Sequence, residues 1–224
     1  MDYLNLLKSP LFRNMSTADV REVLDNVQHR IQCYDKEETI FLQMEKADRV
    51  GIVLDGQVQA QKTFPNGSMV NVSTRSAGDL IGPAAVFSKN HRYPCDVVAS
   101  MPATIMMFRK DDLLALMQRD IRILENFTTE ISTATYMLQQ RIELFSYPGI
   151  GQKAAFYLLL QLQQTGKNAV PIPGSVTKWA QLMNVSRPSL HRELKKMEAN
   201  GYLHYSSRQI EILDPDGLQE MLSE

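Results

Sequence analysis

The spacing of apolar residues changes period twice along this chain. Near the N-terminus Val20, Val23, Leu24 and Val27 recur at helical intervals. They follow Ser16-Thr17-Ala18-Asp19, in which Ser16 caps and Asp19 is a carboxylate variant of the capping box. Residues 4–7 predict one short helical turn before it. From about 31 to 110 the texture is of short alternating runs, over 38–42, 49–54, 57–62, 70–74, 95–99 and 104–108. Asp55-Gly56, Pro65-Asn66-Gly67 and Ala77-Gly78-Asp79 punctuate them as turns, with Asn66-Gly67 the clearest hairpin signal. Short, evenly spaced strands with Gly and Asp between them predict a small antiparallel barrel or jelly roll.

After Asp111 the period becomes helical again. Asp111 and Asp112 place negative charge at a helix start. A short helix to about Met117 precedes a long one from about Asp120 to Phe145. Within it Ile121, Leu124, Thr128, Ile131, Thr135, Leu138, Ile142 and Phe145 alternate at spacings of three and four. Such a stripe could pack on the barrel, but a seam kept over three heptads predicts pairing with its own copy in a second chain. Tyr147-Pro148-Gly149 breaks the helix and marks a hinge. The domains expected are 1–118, a β-roll; 119–147, a dimerisation helix and hinge; and 148–224, a second globular domain. The fold class expected is α+β.

The segment 176–201 carries the clearest chemistry. It reads as two helices around a tight turn, the first from Thr177 to Met183 with Trp179, Ala180, Leu182 and Met183 inward. Asn184-Val185-Ser186 turns the chain, Ser186 caps the second helix and Pro188 sits early in it. Leu190, Leu194 and Met197 form its buried stripe, leaving Arg187, Ser189, His191, Arg192, Lys195 and Lys196 outside. A helix with an apolar back and a basic front fits the DNA major groove. Two extended stretches, 202–205 and 209–213, flank Ser206-Ser207-Arg208 and read as a two-stranded wing, with Arg208 at its tip. A helix over 154–164 and an extended piece, Val170-Pro171-Ile172-Pro173, complete this region.

Charge sharpens this reading. The 224-residue chain has a formal net charge of -1, yet six Lys/Arg face two acids between Thr177 and Arg208. A basic face on a near-neutral protein points to a local phosphate contact. An apolar share of 44% suits a globular protein, and no apolar run is long enough to span a bilayer. The N-terminus lacks a secretory pattern, so a cytoplasmic location and no membrane partner are expected. Cys33 and Cys95 form no CxxC pair and match no zinc or iron–sulfur spacing; they are expected to be buried small residues.

A barrel, a long dimerising helix and a winged helix-turn-helix, in that order, resemble the cyclic-AMP receptor / fumarate–nitrate regulator (Crp/Fnr) family of bacterial transcription factors. The resemblance is carried by Gly56 in VLDGQV, by Gly78-Asp79-Leu80-Ile81-Gly82 and by Asp96-Val97-Val98-Ala99. Further on it rests on Val185-Ser186-Arg187, Leu190 with Arg192-Glu193-Leu194, and Ile212-Leu213-Asp214. It implies a homodimeric, non-enzymatic regulator of transcription that binds a pseudo-palindromic operator in double-stranded DNA and works with RNA polymerase. Two-fold pairing would set two recognition helices about one helical turn (~34 Å) apart. The family also implies an effector in the β-roll that binds the active and inactive arrangements with different affinity.

The sequence departs from the cyclic-nucleotide binders of that family. Pro83 stands where they carry a ribose-binding glutamate, and Tyr93 and Pro94 where they carry a phosphate-binding arginine and its small neighbour; Arg92 is one residue away. The helix pair that contacts adenine falls on Leu138 and Gln139. An enclosed phosphate without a cation is costly. The expected effector is therefore a small, rather apolar or aromatic molecule against Gly82, Pro83, Phe87, Arg92, Tyr93, Pro94, Tyr136 and Gln140. Alternatives are a cyclic-nucleotide-responsive regulator and a redox-sensing regulator using Cys33 or Cys95. Two cysteines exclude the four-cysteine iron–sulfur sensor, and no metal or other cofactor is expected.

By the same resemblance Arg187, Pro188, Ser189, His191 and Arg192 enter the groove, with Arg192 aligned on a guanine-reading arginine. Pro188 replaces a glutamate that reads C·G, so the operator core should differ from the usual half-sites. Lys178 and Lys195 are candidates for phosphates, and Arg208 for one at the wing. An enzyme of the cupin type would need two or three barrel histidines; of His29, His91, His191 and His204 only one lies in the barrel region. No P-loop, triad or paired-carboxylate motif is visible. The other rival is a module whose winged helix contacts protein. Met101, Met106, Met107 and Met137 suggest core filling more than a soft-metal site.

Overall fold

The computed structural model describes residues 3–64, 68–206 and 208–223. The expected hairpin tip Pro65-Asn66-Gly67 lies outside the described residues. Two compact units divide the chain, Met1–Ala134 and Thr135–Glu224.

The first unit opens with α1 (Tyr3–Leu6), a 3-10 turn (Pro10–Phe12) and α2 (Thr17–Leu24). Ser16 and Asp19 form the full reciprocal capping box: the Ser16 N–H donates to Asp19 over 2.7 Å and the Asp19 N–H to the Ser16 hydroxyl over 3.2 Å. Eight strands follow: β1 (Arg30–Tyr34), β2 (Thr39–Phe41), β3 (Arg49–Asp55), β4 (Gln57–Thr63), β5 (Met69–Ser76), β6 (Leu80–Ile81), β7 (Asp96–Ala99) and β8 (Ala103–Arg109). They pair antiparallel in two four-stranded sheets, ordered β1-β8-β3-β6 and β2-β7-β4-β5. Val50, Ile52, Val53, Ile105, Met106 and Phe108 from one sheet and Phe41, Val58, Val97 and Ala99 from the other share a single core. Gly56 holds the turn between β3 and β4 at φ 83°, where a Cβ would collide with the Pro102 carbonyl.

Helix α3 (Pro83–Phe87) interrupts the strands, and α4 (Lys110–Arg119) and α5 (Ile121–Ser146) follow them. Ile123 and Phe127 of α5 enter the first core. Arg122 bonds Asp120 at 2.6 Å and Asp19 at 3.2 Å, and Asn126 donates to the carbonyls of Leu11 and Arg13.

In the second unit α6 (Ile150–Thr165) precedes β9 (Ala169–Pro171), α7 (Val176–Leu182), α8 (Arg187–Ala199), β10 (Leu203–Tyr205), β11 (Gln209–Ile212) and α9 (Pro215–Met221). The expected two-stranded wing is three-stranded, ordered β10-β11-β9, because Val170 pairs with Ile210. Trp179, Ala180, Met183, Leu190, Leu194, Met197, Ile210 and Ile212 fill its core. Leu182, expected inward, is 41% exposed. At about 100° per residue it falls on the flank of the stripe that Trp179, Ala180 and Met183 define.

Both cysteines also differ from expectation. Cys33 is exposed on the edge strand β1 and Cys95 is half-buried. Along β1 the side chains alternate, and Cys33 falls with Ile31 on the exposed face while Gln32 and Tyr34 are half-buried. Met106 and Met107 fill the core as expected, whereas Met101 and Met137 are exposed.

Candidate nucleic-acid interface

Helix α7, its turn and α8 are built by local rules. Ser175 caps α7, its hydroxyl accepting the Lys178 N–H at 3.1 Å. Asn184 takes a left-handed conformation, φ 55°, which its short polar side chain tolerates. Val185 then donates to the Ala180 carbonyl at 2.9 Å, closing the turn. Ser186 caps α8 by accepting the Ser189 N–H at 3.1 Å, and its own hydroxyl donates to the Ser189 hydroxyl at 2.8 Å.

Leu190, Leu194 and Met197 are buried to within 1% exposure, while Arg187, Pro188, His191, Arg192, Lys195 and Lys196 are exposed and Ser189 is half-buried. Lys178 and Arg208 are exposed as well. The cations are not equivalent. Lys195 bonds Glu198 at 2.8 Å and lies 5.3 Å above the Tyr205 ring, and Lys196 sits 3.9 Å from Glu193. Among the described residues Lys178, Arg187, Arg192 and Arg208 have no acidic partner within ion-pair distance.

Glu198 joins helix to wing. Its Oε1 accepts the Tyr205 N–H at 2.8 Å and lies 3.1 Å from His204 Nδ1. The Lys195 ammonium, followed by the Tyr205 amide, holds this carboxyl below its ordinary range. Neither Glu198 nor Tyr205 was singled out from the sequence. A carboxylate one turn beyond a lysine on α8 was a visible signal for the first; nothing local marks the second.

The residues expected around an effector come from the β-roll and from α5. Gly82 caps α3 at φ 82°, where an added Cβ would crowd the Arg49 carbonyl, Phe41 and Tyr93. Pro83 is half-buried, and Phe87 stacks obliquely on Phe127 with 5.1 Å between centroids. Arg92 is exposed and donates to the Met44 carbonyl at 2.6 Å, and Pro94 is exposed. Tyr93 is only 2% exposed: it stacks on Phe41 at 4.3 Å and donates to the Arg49 carbonyl at 2.8 Å. Its ring is part of the first hydrophobic core. Tyr136 and Gln140 lie on α5 in the second unit, Tyr136 exposed and Gln140 with its Nε2 buried and unpartnered among the described residues.

On α5 the apolar seam faces outward in the single chain. Ile121, Leu138 and Ile142 are 63%, 61% and 70% exposed, and Leu124, Thr128, Thr135 and Phe145 are exposed too. Ile131 is half-buried against the first core.

Two family models match the chain: the cyclic nucleotide-binding domain over residues 31–120, and the Crp-like helix-turn-helix domain over residues 152–221. The chain is 20% identical over 212 residues to "Probable transcriptional regulator flp" of Lacticaseibacillus casei, covering 94% of each. It is 21% identical over 212 residues to nitrogen fixation regulation protein FixK of Bradyrhizobium diazoefficiens, covering 92% of this chain and 87% of that one. Among solved structures, the catabolite activator protein of Thermus thermophilus superposes with a TM-score of 0.55 at 21% identity, over 96% of this chain and 99% of the other. A mutant of CooA from Carboxydothermus hydrogenoformans gives 0.57 at 16% identity, over 99% and 96%. At these identities the structural likeness establishes the fold.

Proposed function

The chain belongs to the Crp/Fnr family of transcriptional regulators, and on that premise we propose that it acts as a homodimer on a pseudo-palindromic operator, its affinity set by a small effector in the β-roll. The observation that carries this is the front of α8: exposed Arg187 and Arg192 without acidic partners, over a back buried to within 1%. Arg192 reads a guanine, Arg187, Pro188, Ser189 and His191 shape the fit to neighbouring bases, and Lys178, Lys195 and Arg208 meet phosphates. The exposed seam from Ile121 to Phe145 supplies the dimer contact, and a proximal partner in the cell is RNA polymerase. Transcription control, not catalysis, is the work of this chain, in the cytoplasm.

The effector is not a cyclic nucleotide in this reading. Tyr93 stands where a phosphate partner would be needed, and its side chain is committed to Phe41 and the Arg49 carbonyl. Within the β-roll Gly82, Pro83, Phe87, Arg92 and Pro94 are the residues that favour a small apolar or aromatic ligand. Selection of bound duplexes from random DNA with full-length protein tests the reading. A two-fold symmetric site other than TGTGA or TTGAT is expected; failure to enrich any duplex would overturn it. Thermal shift against a metabolite panel with cyclic AMP tests the effector, and tight cyclic-AMP binding would refute that half.

A further inference from the structure

Arg109 of β8 lies directly opposite Arg49 of β3 in the antiparallel ladder. On the other flank of β8, Met107 faces Arg30 of β1. Residues two apart on a strand share a face, so Arg30, Arg49 and Arg109 project from one face at one end of the sheet. Like charges directly opposed across an antiparallel pair destabilise it. Within ion-pair distance only Asp48 offsets this among the described residues. Arg49 has Asp48 at 3.5 Å, both side chains about half exposed, and lies 5.9 Å over the Phe41 ring. Among the described residues Arg30 and Arg109 have no acid within ion-pair distance.

A cavity of about 1050 Å³ opens at these arginines, with Lys46 also on its wall. Asp25, Glu45, Asp48 and Asp112 line it too; Asp48 pairs with Arg49, and the other three form no ion pair with a described residue. None of the residues assigned above to the effector or to DNA contributes to it.

We propose that this cavity binds a small organic anion that carries a phosphate or carboxylate group together with hydroxyl or amino donors. The guanidinium forks take the anionic group, which relieves the opposed charges of Arg49 and Arg109. The free carboxylates of Asp25, Glu45 and Asp112 accept from the ligand's donors. Because the ladder brings the arginines together, the site is set by strand register and is present before the ligand arrives.

Glycerol 3-phosphate is the probe, titrated calorimetrically into the full-length protein at constant ionic strength, with inorganic phosphate as a second arm. Saturable binding of one glycerol 3-phosphate per chain is expected, weakened at least ten-fold in Arg109→Met and in Arg30→Met and unchanged in Arg75→Met on β5. Without ligand, Arg109→Met should melt no lower than the parent, since it removes one of two opposed charges. Absence of saturable heat, equal binding by the parent and both cavity variants, or a markedly lower melting temperature of unliganded Arg109→Met would overturn the site. Equal affinity for inorganic phosphate would overturn the role given to the carboxylates.

Discussion

The imidazole of His191 stands edge-on to the ring of Tyr205, with 5.5 Å between centroids and Nδ1 3.3 Å from the phenolic oxygen. One residue lies on the recognition helix and the other on the wing, and Glu198 grips the Tyr205 amide from the helix side at 2.8 Å. In the tautomer in which the phenol donates to Nδ1, Nε2 carries the ring proton and offers a donor to a base edge or phosphate. Tyr205→Phe is therefore expected to cost about 1 kcal/mol of operator affinity, near five-fold, without changing the melting temperature. Fluorescence anisotropy of Tyr205→Phe, His191→Ala and the double variant measures the coupling. Strictly additive losses would show that the hydroxyl does not orient the imidazole.

The proposed roles of the unpaired cations predict two separable behaviours. Arg192→Ala should lose about 1–3 kcal/mol on the cognate site and discriminate less at one base pair. Lys178→Ala should weaken all duplexes alike and reduce the slope of log K against log salt by about one. Binding isotherms at several salt concentrations, on cognate and scrambled duplexes, distinguish them. The reverse pattern would exchange the two roles.

Ile142, Ile121 and Leu138 are the most exposed large apolar residues of the α5 seam, at 70%, 63% and 61%. A charge there costs the isolated chain little but is expensive once buried in an interface. Leu138→Glu should yield monomers by sedimentation velocity at concentrations where the parent is dimeric, and operator binding should fall with dimerisation. A fully dimeric Leu138→Glu would place the contact elsewhere.

Asp19 gives a pH prediction with a defined sign. The Ser16 hydroxyl and amide, with help from Arg122, hold its carboxyl at about 2 against an ordinary 3.8. A depressed acid stabilises the fold in full above its ordinary value and loses that contribution as pH falls towards its folded value. The melting-temperature gap between the parent and Asp19→Asn should therefore be widest above pH 4 and close on the way down to about 2. A gap constant from pH 6 to pH 2 would mean that the side chain acts through something other than its charge.

The legible parts of this fold were those where one local rule sufficed. The Ser16–Asp19 box, the Ser186 cap and the 190–194–197 stripe are each written in fewer than a dozen residues, and each appears in the structure. Strand β1 is harder to read because it is an edge: no residue of Arg30-Ile31-Gln32-Cys33-Tyr34 is fully buried, and its apolar Ile31 and Cys33 lie on the exposed side of the alternation. Helix α9 was missed although Asp214-Pro215 marks it, the aspartate capping by accepting the Gly217 N–H at 2.9 Å. Tyr93 and Tyr205 could not be placed in advance. Their partners, Phe41 and His191, are 52 and 14 positions away, and only the folded chain brings them together.

Pro188 occupies the second position of α8 and has no amide hydrogen. The next amide, of Ser189, is spent on the Ser186 hydroxyl, and that of Leu190 on the Ser186 carbonyl. The leading end of this helix is thus nearly sealed, with no ring of bare backbone donors to seize an oxyanion. Grip on the duplex passes to long, rotatable arms, so a few rotamer changes could retune the preferred site while the scaffold stays fixed.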